Sequence, residues 1–216
     1  MHIWPPYEAF YIDSMLFSSS SAGASVEAVA AALTAISEGT LARSDLDEDA
    51  FLNQLQNVIL QGATLSRFFW PVRKGHEARG EQLRTVFGVT DSSPLRDRGL
   101  RNALEHFDER LDLYLQASVV GHIIPRYVGP TPVASGVPLH VFRAFYSERG
   151  VFALLGEEYE MQPLADDHNL LLDCAEAGSR FPPREAGSGA SEGAIVGPEI
   201  STTSDASSSS NERGKQ

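Results

Sequence analysis

Within "PLRDRGLRNALEHFDERLDLYL", residues 94–115, three side chains have the types and spacing to do chemistry: Arg101, Asn102 and His106. A guanidinium is always charged and presents a fork of donors that matches a phosphate. An imidazole titrates near neutrality and can take or give a proton. Their setting reads as one helix from Pro94 to Gln116, with Ser93 as its capping residue and Pro94 at its first position. Taking about 100° per residue, Leu100, Leu104, Phe107, Leu111 and Leu115 form one apolar stripe. Asn102, His106 and Arg110 stack on the far side, and Arg101 flanks the stripe. Leu104, Phe107 and Leu111 are therefore expected in the core, and His106 at least partly exposed. Two readings stay open on spacing alone. Either the outer ridge lines a cleft and does chemistry, or His106 is an ordinary exposed histidine and Arg101 bridges Glu105 one turn on.

The elements that must position this helix are mostly helical as well. Residues 7–37 are rich in Ala and Leu at helical intervals, and although the "SSSSAG" run suggests a break, either one long helix or a helix pair is expected. "AFLNQLQNVILQGATLSRFFW" repeats apolar residues at Phe51, Leu55, Val58, Ile59, Leu65 and Phe69, and Pro71 ends it. "HEARGEQLRTVFG" is a shorter helix stopped by Gly88. Beyond Ser118 the texture changes: apolar and aromatic runs flank "SERG", which predicts a β-hairpin, with "EEYEMQPL" as a connection and "ADDHNLLLDCAEAG" as a last short helix. The fold class is thus mainly α: a four- or five-helix bundle over 1–118 and a β-hairpin with a short helix over 119–178. A disordered Ser/Gly/Glu-rich tail is expected over 179–216.

Composition narrows the function. A net charge of −12 argues against a general nucleic-acid coat or an anionic membrane as partner. The charge is uneven, however. Between Leu65 and Arg110 nine bases face seven acids, which leaves room for a local anion site inside an acidic chain. Arg98, Arg73 and Lys74 are the cations best placed to help bind such a substrate. The aromatic run Phe68, Phe69 and Trp70 just before them could stack bases or simply pack a helix end. The single cysteine, Cys174, excludes an internal disulfide and any cysteine-built metal site. His76 has no second histidine four residues on, position 103 is Ala where a di-metal bundle motif needs Glu, and His122, His140 and His168 have no ligand partner at useful spacing. No metal or other cofactor is therefore expected. The amino terminus carries Glu8 and Asp13 and does not read as a signal peptide, and no uninterrupted run of about 18 apolar residues is visible. A cytoplasmic protein with no membrane partner is the expectation.

"RNALEH", Arg101 to His106, resembles the Arg, polar residue, spacer, His signature of the HEPN superfamily of helical domains, over roughly residues 45–118. The resemblance implies a helical bundle with the motif on a late helix, working as a dimer that brings two motifs together. It further implies a metal-independent endoribonuclease or an RNA-binding protein, of the kind found in toxin and defence systems, with RNA as substrate or ligand and a protein partner such as an antitoxin. Arg101 would stabilise charge at the scissile phosphate, His106 would serve as general acid or base, and Asn102 would orient the phosphate or the ring. Some HEPN domains are non-catalytic, so a protein-interaction or dimerisation module is the alternative.

Overall fold

The serine run that suggests a break in the first helix is buried in its middle. The computed structural model describes residues 7–117, 119–133 and 136–167, except the side chains of Leu100 and Arg101. The chain divides into Met1–Phe181 and Pro182–Gln216, and the expected tail lies outside the described residues. Helix α1 runs unbroken from Glu8 to Ser37 and buries Met15, Ser18, Ser19, Ala22, Gly23, Ser25 and Val29. Small side chains let it lie close against α2 (Glu48–Phe69), which bonds the Ser21 and Ser25 hydroxyls. Asn57 Nδ2 donates to Ser21 O, Ser21 Oγ and Ser25 Oγ at 3.2, 3.1 and 2.9 Å, and Ser25 Oγ donates to Gln54 Oε1 at 2.7 Å. By length and a mean hydropathy of 1.2 over 18 residues, α1 is also long and apolar enough to cross a membrane, although polar residues interrupt it.

Asp47 caps α2 by accepting from the Ala50 N–H at 3.0 Å. The expected stripe is buried along the whole helix, from Phe51 and Leu55 through Val58 and Ile59 to Leu65 and Phe69. Helix α3 (Glu77–Phe87) crosses its end, closed by Gly88 in the left-handed conformation. Gly80 is what allows that crossing, because a Cβ there would lie 2.4 Å from Phe69 O and 2.6 Å from Pro71 Cδ.

The helix expected from Pro94 to Gln116 is in three pieces: a single 3-10 turn at Pro94–Arg96, α4 (Gly99–Glu105) and α5 (Phe107–Gln116). Ser93 does cap, accepting from Leu95 N at 3.2 Å, but it caps the turn. The first break comes from Asp97, whose backbone is extended and whose carboxylate takes the Gly99 N–H at 2.8 Å, a local bond that competes with the helix. Breaking the helix shifts its inner face. Ala103 is fully buried and Leu104 and Phe107 pack against the core, whereas Leu111 is half-buried and Leu113 and Leu115 are exposed.

The mainly helical region is followed by small sheets and a short helical stretch, 162–167. The hairpin forms as expected: β4 (Arg143–Tyr146) pairs antiparallel with β5 (Val151–Leu154) around the Ser147–Gly150 turn. The expected connection "EEYE" is instead a strand, β6 (Glu157–Glu160), joined to β5 by a tight turn at Leu155 and Gly156, both with positive φ. β2 (Tyr127–Gly129) adds parallel to β4, giving the order β2-β4-β5-β6, and β1 (His122–Ile124) pairs parallel with β3 (Leu139–Val141). Phe145, Phe152 and Leu154 share one core with Phe51, Leu55 and Val58, with the Phe51 and Phe145 rings 5.4 Å apart. Helices and sheet are thus packed together across the expected boundary at 118. A bridge of Arg110, Glu157 and Tyr159 ties α5 to β6: Arg110 Nη1 and Tyr159 Oη each donate to Glu157 Oε2 at 2.5 Å.

Two outcomes test these contacts. Asn57→Ala strips three acceptors of their shared donor and is expected to cost about 1–3 kcal/mol in urea unfolding, while Gln61→Ala, which removes only a donor to Asn57 itself, costs less. Burial first, and then its hydrogen bond to Glu157, pushes the Tyr159 phenol up to about 12. Between the ordinary tyrosine value of about 10 and about 12 the folded state keeps a proton that the unfolded chain has lost. Stability is therefore fully present below about 10 and falls as pH rises through that window. Tyr159→Phe should flatten this alkaline slope in unfolding curves measured across it; an unchanged slope would contradict the assignment.

Candidate functional site

The ridge survives the helix break. His106 sits between α4 and α5 at φ −115°, ψ 36°, outside helical geometry, yet its N–H donates to Asn102 O at 3.0 Å and its carbonyl accepts from Arg110 N at 3.1 Å. Asn102 and His106 are therefore held one turn apart on the outer surface. The imidazole is 57% exposed, as the spacing predicts, and its Nδ1 lies 3.7 Å from Glu109 Oε1. The Arg101 backbone is helical in α4, and its side chain lies outside the described residues. The expected Arg101–Glu105 bridge is outside them for the same reason. What is described at Glu105 is an ion pair to Arg67 of α2 at 2.8 Å, which partly neutralises a carboxylate one residue from His106.

The helper cations divide into two kinds. Arg98, at the N-cap of α4, is half-buried and donates through Nη2 to Trp70 O at 3.3 Å, so it fastens α4 to the end of α2. Arg73 and Lys74 are exposed in the loop that begins just after Trp70. Arg98 thereby holds the start of α4 to Trp70, the residue just before that loop. The aromatic run has structural work: Phe69 is fully buried against Trp70 and Phe87, Phe68 meets Tyr11 edge-on at 6.2 Å, and Trp70 lies under the Arg84 guanidinium at 5.6 Å.

Three features of this surface had no signal in the spacing. Phe107 lies under the guanidinium of Arg143 at 5.2 Å, and burial holds the Arg143 pKa below the usual arginine value against the opposing pull of Asp49. Arg110 is engaged by Glu157, whose carboxyl is held below its ordinary value by the hydrogen bonds from Tyr159 and Arg110. Tyr114 Oη bonds His140 Nδ1 at 2.7 Å, fixing α5 against β3. Two cavities of about 300 and 290 Å³ adjoin α2 and are lined by neither Asn102 nor His106. Asn102 and the His106 imidazole are both exposed on this ridge. Set beside known proteins, the chain matches no family model, no curated protein and no solved structure.

Proposed function

We propose that the α4–α5 ridge is an HEPN-like RNA site, that the helical region is a bundle of that kind, and that the protein is a metal-independent endoribonuclease working as a symmetric dimer. The observation that carries this reading is the pairing of Asn102 and His106 through the 3.0 Å backbone bond, with the imidazole exposed. In the reaction the His106 ring takes the proton of the RNA's 2′-OH as that oxygen attacks the adjacent phosphorus. Arg101 balances the charge that builds on the phosphoryl oxygens, and the 5′-oxygen leaves with a proton, giving a 2′,3′-cyclic phosphate. An open ridge supplies only one wall of such a site, so a second copy must supply the other. Arg73 and Lys74 add attraction for the strand beyond the cut, with Arg98 holding the start of α4 to Trp70 just before their loop. RNA as substrate fits a cytoplasmic location.

One observation favours a second reading, a non-catalytic interaction or dimerisation module. Leu113 is 66% exposed on α5, and Leu115, Val120 and Ile123 are exposed close by in the chain, an apolar surface suited to a protein partner such as an antitoxin or a second copy.

Cleavage of a mixed RNA pool in the presence of a chelator separates the two readings. His106→Ala is expected to lose roughly 10²–10⁴-fold in rate. Arg101→Lys should also fail, since an ammonium lacks the two parallel donors of a guanidinium. Melting curves matching the parent are the control for folding. A parent that cuts nothing, or mutants that cut as fast, would leave the interaction module as the account. Sedimentation velocity at tens of micromolar is expected to show a dimer under either reading, and a strict monomer with and without RNA would remove the two-copy site.

A further inference from the structure

The two edges of the four-stranded sheet are finished differently. At β2, the Ser147 N–H bonds Gly129 O at 2.9 Å, which turns Tyr127 and Gly129 toward β4 and points the peptide groups of Val128 outward. Both of those groups are taken by side chains: Val128 O accepts from Arg43 Nη2, and Val128 N donates to Glu48 Oε1 at 3.4 Å. Gly129 keeps the place clear, because a Cβ there would coincide with the Arg43 guanidinium. This edge is plugged against further strands.

At β6 no side chain among the described residues takes the outward peptide groups. The Met161 N–H donates to Gly150 O at 3.1 Å, and the register opposes Val151 to Glu160 and Phe152 to Tyr159. In an antiparallel pair, bonded and non-bonded residues alternate. Gly150/Met161, Phe152/Tyr159 and Leu154/Glu157 are therefore the bonded pairs, and the N–H and C=O groups of Glu158 and Glu160 point away from β5. Among the described residues no side chain plugs them. They give onto the cavity of about 300 Å³ whose apolar lining includes Ile59, Ala63, Leu95 and Leu164. The side chains of Glu158 and Glu160 stand on the opposite face of the sheet, where Glu158 is paired with Arg149.

We infer that the β6 edge and its cavity form a strand-addition site for an extended peptide that alternates basic and apolar residues. Each residue opposite Glu158 or Glu160 exchanges backbone hydrogen bonds with it and projects its side chain on the carboxylate face, where a lysine or arginine is favoured. The intervening residues project the other way, over the apolar lining of the cavity. A second copy pairing through the same edge would set "EEYE" against itself and oppose like charges, so the occupant is a basic peptide.

The test uses the full chain and the capped peptide Lys-Val-Lys-Leu-Lys. Its addition should slow hydrogen exchange at the Glu158 and Glu160 amides. Glu160→Pro removes an N–H that points away from β5, so the hairpin ladder stays intact while peptide affinity drops about tenfold. Glu160→Lys keeps the donor, and should weaken the lysine peptide and favour its Glu-Val-Glu-Leu-Glu counterpart. N-methylation of the central lysine of the probe should abolish binding. Binding that survives both Glu160→Pro and N-methylation, protection that maps elsewhere, or no binding at millimolar probe would each overturn the site.

Discussion

A helix buried on nearly every side must be surrounded before anything else can be placed, and α2 is that helix. Its 22 residues bury ten, Phe51 and Leu52 at one end and Ser66 and Phe69 at the other. The helices and strands packed on it are shaped by what they cover. Where α2 presents Gln54 and Asn57, α1 answers with serines small enough to approach and polar enough to be satisfied. Where it presents Phe51, Leu55 and Val58, the sheet answers with Phe145, Phe152 and Leu154. Where it ends at Phe69, α3 has Gly80, since any side chain would strike the α2 backbone. The packing is that of a jigsaw rather than an oil drop, and a change on one side is felt on the others.

The parts of this fold legible in the sequence are those whose causes are local. The stripe of α2, its Pro71 stop, the Gly88 closure of α3 and the "SERG" turn each rest on residues a few positions apart. The serine run left one helix or two open, because polar residues mid-helix normally signal a break and the Asn57 that bonds Ser21 and Ser25 lies about thirty residues on. Strand β6 was missed for a related reason. "EEYE" has no apolar alternation of its own, and it is a strand because the Leu155–Gly156 turn and the register with β5 make it one. The unwinding at Asp97 had a local cause, but Ser93 and Pro94 made a helix start there the stronger signal.

The same division runs through the candidate site. One turn of helix puts Asn102 and His106 on a common ridge whatever the tertiary structure, so that relation could be read directly and it holds across the break at His106. The electrostatic setting could not. The pairing of Arg67 with Glu105 spans 38 positions and that of Arg110 with Glu157 spans 47, and both remove charges that spacing alone would have assigned to the ridge. Arg98 looked like a free cation in the sequence, but part of its donor capacity holds α4 to Trp70. Under the proposed function, phosphate binding would rest on Arg101, Arg73 and Lys74 more than on Arg98.

A net charge of −12 sets what a distant ligand feels, and the pairs on the surface set what a bound one meets. At physiological salt a charge is felt over about 8 Å, so two faces of one small protein can offer opposite local fields. The exposed Arg73 and Lys74 and the sheet face with Glu158, paired to Arg149, and Glu160 belong to different elements. The contrast between the sheet edges follows the same logic at the level of the backbone. Arg43 and Glu48, about eighty residues before β2, close the Val128 N–H and C=O, and Gly129 leaves them room. β6 has no comparable closure among the described residues, and exposed carboxylates are the one deterrent it carries. Those carboxylates oppose a like-charged strand and favour a basic one, so they select among partners where Arg43 and Glu48 refuse them all.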